Sequence, residues 1–221
     1  MSKLRTKTRP VKRGTSSPFK TRGQKAGEHE DKRLAVLRTA AELFVTQGFH
    51  STKLTDVADR LKITKPAIYY YFESKDEILI ACTRTALELT KIYFAESDDP
   101  TLEGRARLER FMIWYGESMT APFGQCLVRV AEHDVEQETQ KQLIAAKRVI
   151  YQRLLELVEA GIKDGTIAKC DPNVAAFTIA GALSWLSHWH RPGGRWTAHE
   201  AAKRVTALLL NGLAREKAPA A

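Results

Sequence analysis

Cysteine is scarce in this sequence of 221 residues: Cys82, Cys126 and Cys170 stand far apart, odd in number and without a CxxC pair. They cannot build a disulfide framework or a four-ligand zinc site, and packing is the ordinary use of such thiols. No run reaches the about 20 apolar residues that cross a bilayer. The longest uncharged stretch, residues 172–187, has 16 residues and includes Asn, Thr and Ser, so it reads as a buried helix and no membrane partner is expected. The basic N-terminus is not followed by the apolar segment of a secretory signal, which places the chain in the cytoplasm. Missing too are a P-loop, a dinucleotide-binding glycine pattern, an HExxH pair and a nucleophile elbow. Without them the sequence offers no catalytic residue, no metal ligand set and no cofactor site, and it argues against an enzyme. His188 and His190 lie two apart on an expected helix, point to different faces, and read as core or interface residues. A metal or redox sensor built on His133, His188, His190 or the cysteines is the rival reading.

Acids are absent from residues 1–27, which hold nine bases, whereas the other 26 bases are balanced by 26 acids. The net charge of +9 therefore belongs entirely to the N-terminus. Rich in Ser, Thr, Gly and Pro, that segment cannot bury enough apolar surface to offset the entropy of ordering, so residues 1–29 are expected to form a disordered basic tail. An anionic partner follows, with the tail wrapping a duplex or entering its minor groove. A solubilising tail, or a sequence-independent DNA-packaging protein, would share this charge pattern.

Helical periodicity is what the sequence has in abundance, and no strand pattern or internal repeat accompanies it. From about Glu30, Leu34, Leu37, Ala41 and Phe44 recur at helical spacing until Gly48. Leu54, Val57, Ala58 and Leu61 repeat the pattern over about two turns, with Thr52 as the expected N-cap. Thr64 caps a third segment that carries Pro66 in its first turn and ends near Phe72. Ser74 and Glu77 form a capping box for a fourth helix over residues 75–96. Further helices are expected over residues 101–119, 125–133, 136–163, 171–191 and 197–215, interrupted by Pro122 and Gly124, by Gly165, and by Pro192 with two glycines. The fold class is all-α with about nine helices.

Two short helices with a brief connection make a helix-turn-helix over residues 53–72. On a wheel Ile68 and Phe72 face inward, Pro66 and Tyr70 lie opposite, and Lys65 and Tyr69 flank them. Lysine there reaches a phosphate or a guanine edge, and tyrosine hydroxyls donate to phosphate oxygens. Lys75 adds a cation at the start of the fourth helix, whose free N–H groups also favour a phosphate. Residues 54–79, LTDVADRLKITKPAIYYYFESKDEIL, resemble the signature of TetR family regulators, and the likeness runs without a gap over residues 30–80. It implies an N-terminal three-helix DNA-binding domain at residues 30–80, a larger helical ligand-binding and dimerisation domain at 81–216, a short tail at 217–221, and a homodimer on a palindromic operator of double-stranded DNA. By position Thr55, Thr64, Lys65, Pro66, Ala67, Tyr69, Tyr70 and Lys75 match the family's DNA-contacting surface. Lys62 departs from it, because members usually carry glycine there; a left-handed lysine costs roughly 1 kcal/mol.

Two heads read a palindrome only if a rigid interface holds them about 34 to 36 Å apart. Ala180, Gly181 and Ala182 permit close helix approach, so the last two expected helices of both copies should form a four-helix interface through Gly181, Trp185, Trp189, Val205, Leu208, Leu209 and Gly212. Residues 185–194, WLSHWHRPGG, resemble the helix end of TetR-type regulators of fatty-acid, sterol and aromatic-acid breakdown, several of which sense acyl-CoA thioesters. A small hydrophobic ligand of that class would need an apolar pocket, for which Phe111, Trp114, Tyr115, Met119, Cys126, Val130, Tyr151 and Phe177 are available, with Arg107, Arg110 or Arg129 near its mouth. The function expected from all this is sequence-specific transcriptional repression released by such a ligand.

Overall fold

The computed structural model describes residues 22–97 and 99–212. Among these residues every regular element is helical: α1 (Arg22–Gln47), α2 (Leu54–Leu61), α3 (Lys65–Tyr69), α4 (Lys75–Ser97), α5 (Gly104–Ser118), α6 (Pro122–Arg129), α7 (Gln137–Lys163), α8 (Pro172–Ser184), α9 (Leu186–Trp189) and α10 (Ala198–Asn211), with a 3-10 turn at Glu132–Asp134. The nine expected segments are present, the eighth divided in two at Trp185. There the His188 N–H donates to the Trp185 carbonyl, three residues back, which tightens the helix end that the sequence extends smoothly to residue 191.

Other differences lie at helix ends. α1 starts at Arg22, so residues 22–29 of the expected disordered tail are helical; residues 1–21 and 213–221, with the rest of both expected tails, fall outside the described residues. His29 anchors this extension, its ring packing against Tyr71 at 5.0 Å and Tyr70 at 5.7 Å. Thr52 is not the cap of α2: it is buried and its hydroxyl donates to the Gly48 carbonyl, while Lys53 takes the N-cap position and its N–H donates to Asp56 at 2.8 Å. Pro122 and Gly124 do not separate helices but belong to α6. Proline fits its first turn, and Gly124 packs so closely on the Ser118 carbonyl that a Cβ would collide with it. Asp171 caps α8 as expected, accepting from the N–H groups of Asn173 and Val174.

Packing divides into two cores. One gathers Leu37, Phe44, Val57, Ile68, Phe72 and Leu79 from α1 to α4, together with Cys126, Leu127 and Val130 from the α6 end and Leu143 and Ala146 from α7. The other joins α5, α7, α8 and α10 through Leu108, Met112, Leu154, Ile179, Leu183 and Ala202. Each fully buried Leu, Ile or Phe contributes about 1.5–3 kcal/mol, so Leu127 and Leu143 alone fasten the three-helix head to α6 and α7 by several kcal/mol. α6 is thereby shared between the head and the body.

Candidate DNA-reading surface and ligand cavity

α3 is only five residues long, and its two sides differ sharply. Ile68 is fully buried and Phe72, just past the helix, is 1% exposed, whereas Tyr70 is 72% exposed. Pro66 and Lys65 are exposed as well, and the Lys65 ammonium lies 5.7 Å from the centre of the Tyr69 ring. Thr64 occupies the N-cap position without a capping hydrogen bond from its side chain, and it is solvent-exposed. Ala67 and Thr55 are half-buried at the edge of the same face. α2 closes at Lys62, whose φ of 55° and ψ of 41° are left-handed, the conformation that makes glycine the easier residue there.

Lys75, expected at the DNA surface, also has partners within its own chain. Its Nζ donates to the carbonyl oxygens of Phe49 at 2.9 Å and His50 at 3.2 Å and sits 4.6 Å above the Phe49 ring. It therefore ties the α1–α2 loop to α4. The N–H of Glu77 is taken by the Ser74 hydroxyl, and Glu77 in turn accepts from the Glu73 N–H, so the first turn of α4 is capped from within. Residue patterning missed His29, which touches Tyr70 and Tyr71 from a segment read as a tail, and Arg33, whose guanidinium lies 5.1 Å from the centre of the Phe72 ring.

The body holds an enclosed apolar chamber of about 60 Å³ between α4, α5, α6 and α7, and beside it a groove of about 370 Å³ that opens along α8. Tyr115, Leu127 and Ile150 form the wall common to both. Of the expected liners, Trp114, Tyr115 and Met119 line the chamber, and Tyr115, Tyr151 and Phe177 line the groove, where the last two stack at 4.5 Å. Phe111 packs in the body core, and Cys126 and Val130 in the head core, so these three line neither cavity. Leu127, Ile150, Gly124 and Ser184 were not foreseen: Ile150 lies on the stripe that periodicity assigns to α7, and Gly124 reads in the sequence as a helix breaker.

Tyr115 is nearly buried, and its hydroxyl meets that of Ser184 at 2.8 Å. Burial pushes the phenol up from its ordinary pKa, against a smaller opposing pull from Ser184, so it remains a neutral donor at physiological pH. Lys147 borders the groove but is paired with Glu132 at 2.7 Å. Arg129 ends α6 next to the groove residue Val128, whereas Arg107 and Arg110 interact with Asp99 near the α4–α5 turn and border neither cavity.

Residues 36–82 match the family described as bacterial regulatory proteins, tetR family, and residues 101–213 match the tetracyclin repressor-like C-terminal domain. The chain belongs to the TetR family. The HTH-type transcriptional repressor KstR2 of Rhodococcus jostii is 28% identical over 193 residues, covering 83% of this chain and 91% of that protein. The crystal structure of a TetR/AcrR-family transcriptional regulator from Thermobifida fusca shares 30% identity and superposes with a TM-score of 0.63 over 84% of this chain and all of that one. AibR, solved in complex with isovaleryl coenzyme A and operator DNA, has the same fold, with a TM-score of 0.70 at 24% identity over 81% of this chain and 98% of its own.

Within this TetR chain one face of α8 is uncovered. Val174, Phe177 and Trp185 are each 60% exposed or more, and Gly181 lies between them with open space where a Cβ would be. Leu208 on α10 is 48% exposed, and Trp189 on α9 is partly so. Val205 and Leu209 are half-buried against the body core, and Gly212 caps α10 with a φ of 73°. Two of the three cysteines of this TetR chain are poorly disposed for sensing, whereas Cys170 is exposed. Cys82 and Cys126 are buried, their Sγ atoms each 3.6 Å from a carbonyl oxygen of α1, and the Cys126 contact together with burial raises the Cys82 pKa well above that of an ordinary thiol. His190 bonds to the Trp196 carbonyl and His188 to Ser187. Among the described residues no three His, Cys, Asp or Glu side chains come together as a metal site, and no helix is long and apolar enough to cross a membrane.

Proposed function

We propose that the protein is a ligand-released transcriptional repressor that binds a palindromic operator as a homodimer in the cytoplasm. The observation that carries this reading is the two-sided α3: Ile68 and Phe72 lock it into the head core while Lys65, Pro66, Tyr69 and Tyr70 face outward. A helix so short is held in the major groove only by such anchoring. Thr55, Thr64 and Ala67 flank the contact, and the basic residues preceding α1 supply charge along the flanking phosphates. The uncovered face of α8, with Leu208 of α10, is the surface that a second copy would cover. Membership of a family of DNA-binding regulators, rather than any missing motif, is what sets catalysis aside.

The effector we assign is a small hydrophobic acyl compound such as an acyl-CoA thioester. The groove is of the size that holds a ligand, and its lining is apolar and aromatic with few polar groups. The relative AibR, bound to isovaleryl coenzyme A and to DNA, supports the class. Release follows from the shared position of α6: Phe123, Gly124 and Leu127 border the chamber, and Cys126, Leu127 and Val130 hold the head. A ligand that moves α6 carries α1 and α4 with it, and the spacing of paired heads no longer fits successive major grooves. Titrating the protein with its promoter DNA and then with acyl-CoA thioesters tests both halves. The expected result is tight binding that discriminates against random DNA, reversed by a thioester. Equal affinity for random DNA would mark a packaging protein instead, and no release by any thioester would overturn the effector class.

A further inference from the structure

The wall between chamber and groove is apolar except at one point. There the hydroxyls of Tyr115 and Ser184 face one another at 2.8 Å, the first on α5 and the second at the end of α8. Two hydroxyls hold two protons, and a single hydrogen bond between them uses one. Among the described residues neither hydroxyl makes a further hydrogen bond. Both residues line the groove, so the remaining proton is available to a ligand that enters it beside Leu127, Ile150 and Tyr151. A nearly buried donor without an acceptor is left under-satisfied until something supplies a lone pair. A carbonyl oxygen, which brings lone pairs only, takes that proton directly, whereas a ligand hydroxyl or ammonium group would have to place its own hydrogens on the lone pairs of the same two oxygens.

We infer that the Tyr115–Ser184 pair is the polar anchor of the effector site, donating one hydrogen bond to a carbonyl oxygen of an otherwise apolar ligand. This rests on the reading of the cavity as the effector site and names the group that the cavity selects. Because Tyr115 and Ser184 lie on different helices, a bridging carbonyl also ties α5 to α8, the helix with the uncovered face.

Calorimetric titration of the full chain with octanoyl-CoA and with S-octyl-CoA, the thioether lacking only the carbonyl oxygen, tests the anchor. The intact protein is expected to bind the thioester about tenfold more tightly. The double substitution Tyr115→Phe with Ser184→Ala, which removes both protons and keeps the tyrosine ring and its packing, should bring the ratio towards one, with circular dichroism melting confirming that the variant folds. Equal affinities in the unaltered protein, or a preference that survives both substitutions, would overturn the anchor. Should neither CoA compound bind, the acyl-CoA reading fails separately, and 2-decalone against 2-methylenedecalin in the same proteins decides. A ketone preference erased by the double substitution upholds the anchor, and the absence of such a preference sinks it.

Discussion

At the scale of single residues, the helical wheel identifies the inward side of α3 well because burial and periodicity report the same thing. Ile68 and Phe72 sit where four-residue spacing puts them, and Tyr70, half a turn away, is exposed. Lys75 shows the limit of that method. Its partners are carbonyl groups of Phe49 and His50, about 25 residues earlier, and no local pattern encodes a long-range bond from a side chain to the backbone. Lys62 lies between these cases: the sequence marks it only as a residue standing where relatives use glycine, and its φ of 55° supplies the reason. Lys62→Gly should raise stability by about 1 kcal/mol, read as a shift of the urea midpoint at unchanged slope. On the exposed side, Tyr70→Ala should lower operator affinity about tenfold or more while leaving the melting temperature nearly unchanged, since 72% of that residue is exposed. A matching fall in stability would mean that Tyr70 packs rather than reads.

Between residue and molecule stands the helix, and here the sequence is most legible where each helix has its own cap and one buried stripe. α7 and α8 begin within a residue of their expected positions, and for α8 the Asp171 cap and Pro172, both local chemistry, account for it. α6 is harder to read. Its Pro122 and Gly124 look like breakers, yet the glycine is required by the close approach to the Ser118 carbonyl at the end of α5. Its buried residues serve two neighbours: Cys126 and Val130 belong to the core of α1 to α4, whereas Gly124 and Leu127 border the chamber. Periodicity can show that a helix has a buried face, but it cannot name the neighbour that buries it. Gly124→Ala places a methyl against that carbonyl and should cost about 1–3 kcal/mol of stability, measured by denaturant unfolding. Because α6 bears on α1 and α4, the same variant should bind operator more weakly before any effector is added. Unaltered operator affinity in a destabilised variant would uncouple α6 from the head.

For the whole molecule, charge and symmetry set the predictions. Residues 1–21 carry seven bases ahead of a helix that begins beside the reading surface, with His29 against Tyr70 and Tyr71. Deleting residues 1–21 should weaken binding to operator and random DNA alike and flatten the salt dependence by about 0.9 log unit per log unit of salt for each phosphate no longer neutralised. An unchanged slope would leave the tail a solubilising role. Symmetry acts through α8. A monomeric chain would leave Val174, Phe177 and Trp185 in water along one helix face, a stripe of the kind that marks an interface. Gly181 at its centre lets a second backbone come close, and nothing in its own chain lies within 4 Å of a Cβ at that site, so a side chain there does not disturb the packing of its own fold. Gly181→Arg is therefore expected to leave the fold intact, turn the dimer into a monomer in sedimentation equilibrium, and reduce operator affinity at least about 100-fold, since one head binding alone forfeits the effective concentration of the second. A dimer that persists with arginine at this position would place the contact between copies on another surface, and the spacing of the heads would then have to be set by helices other than α8 and α10.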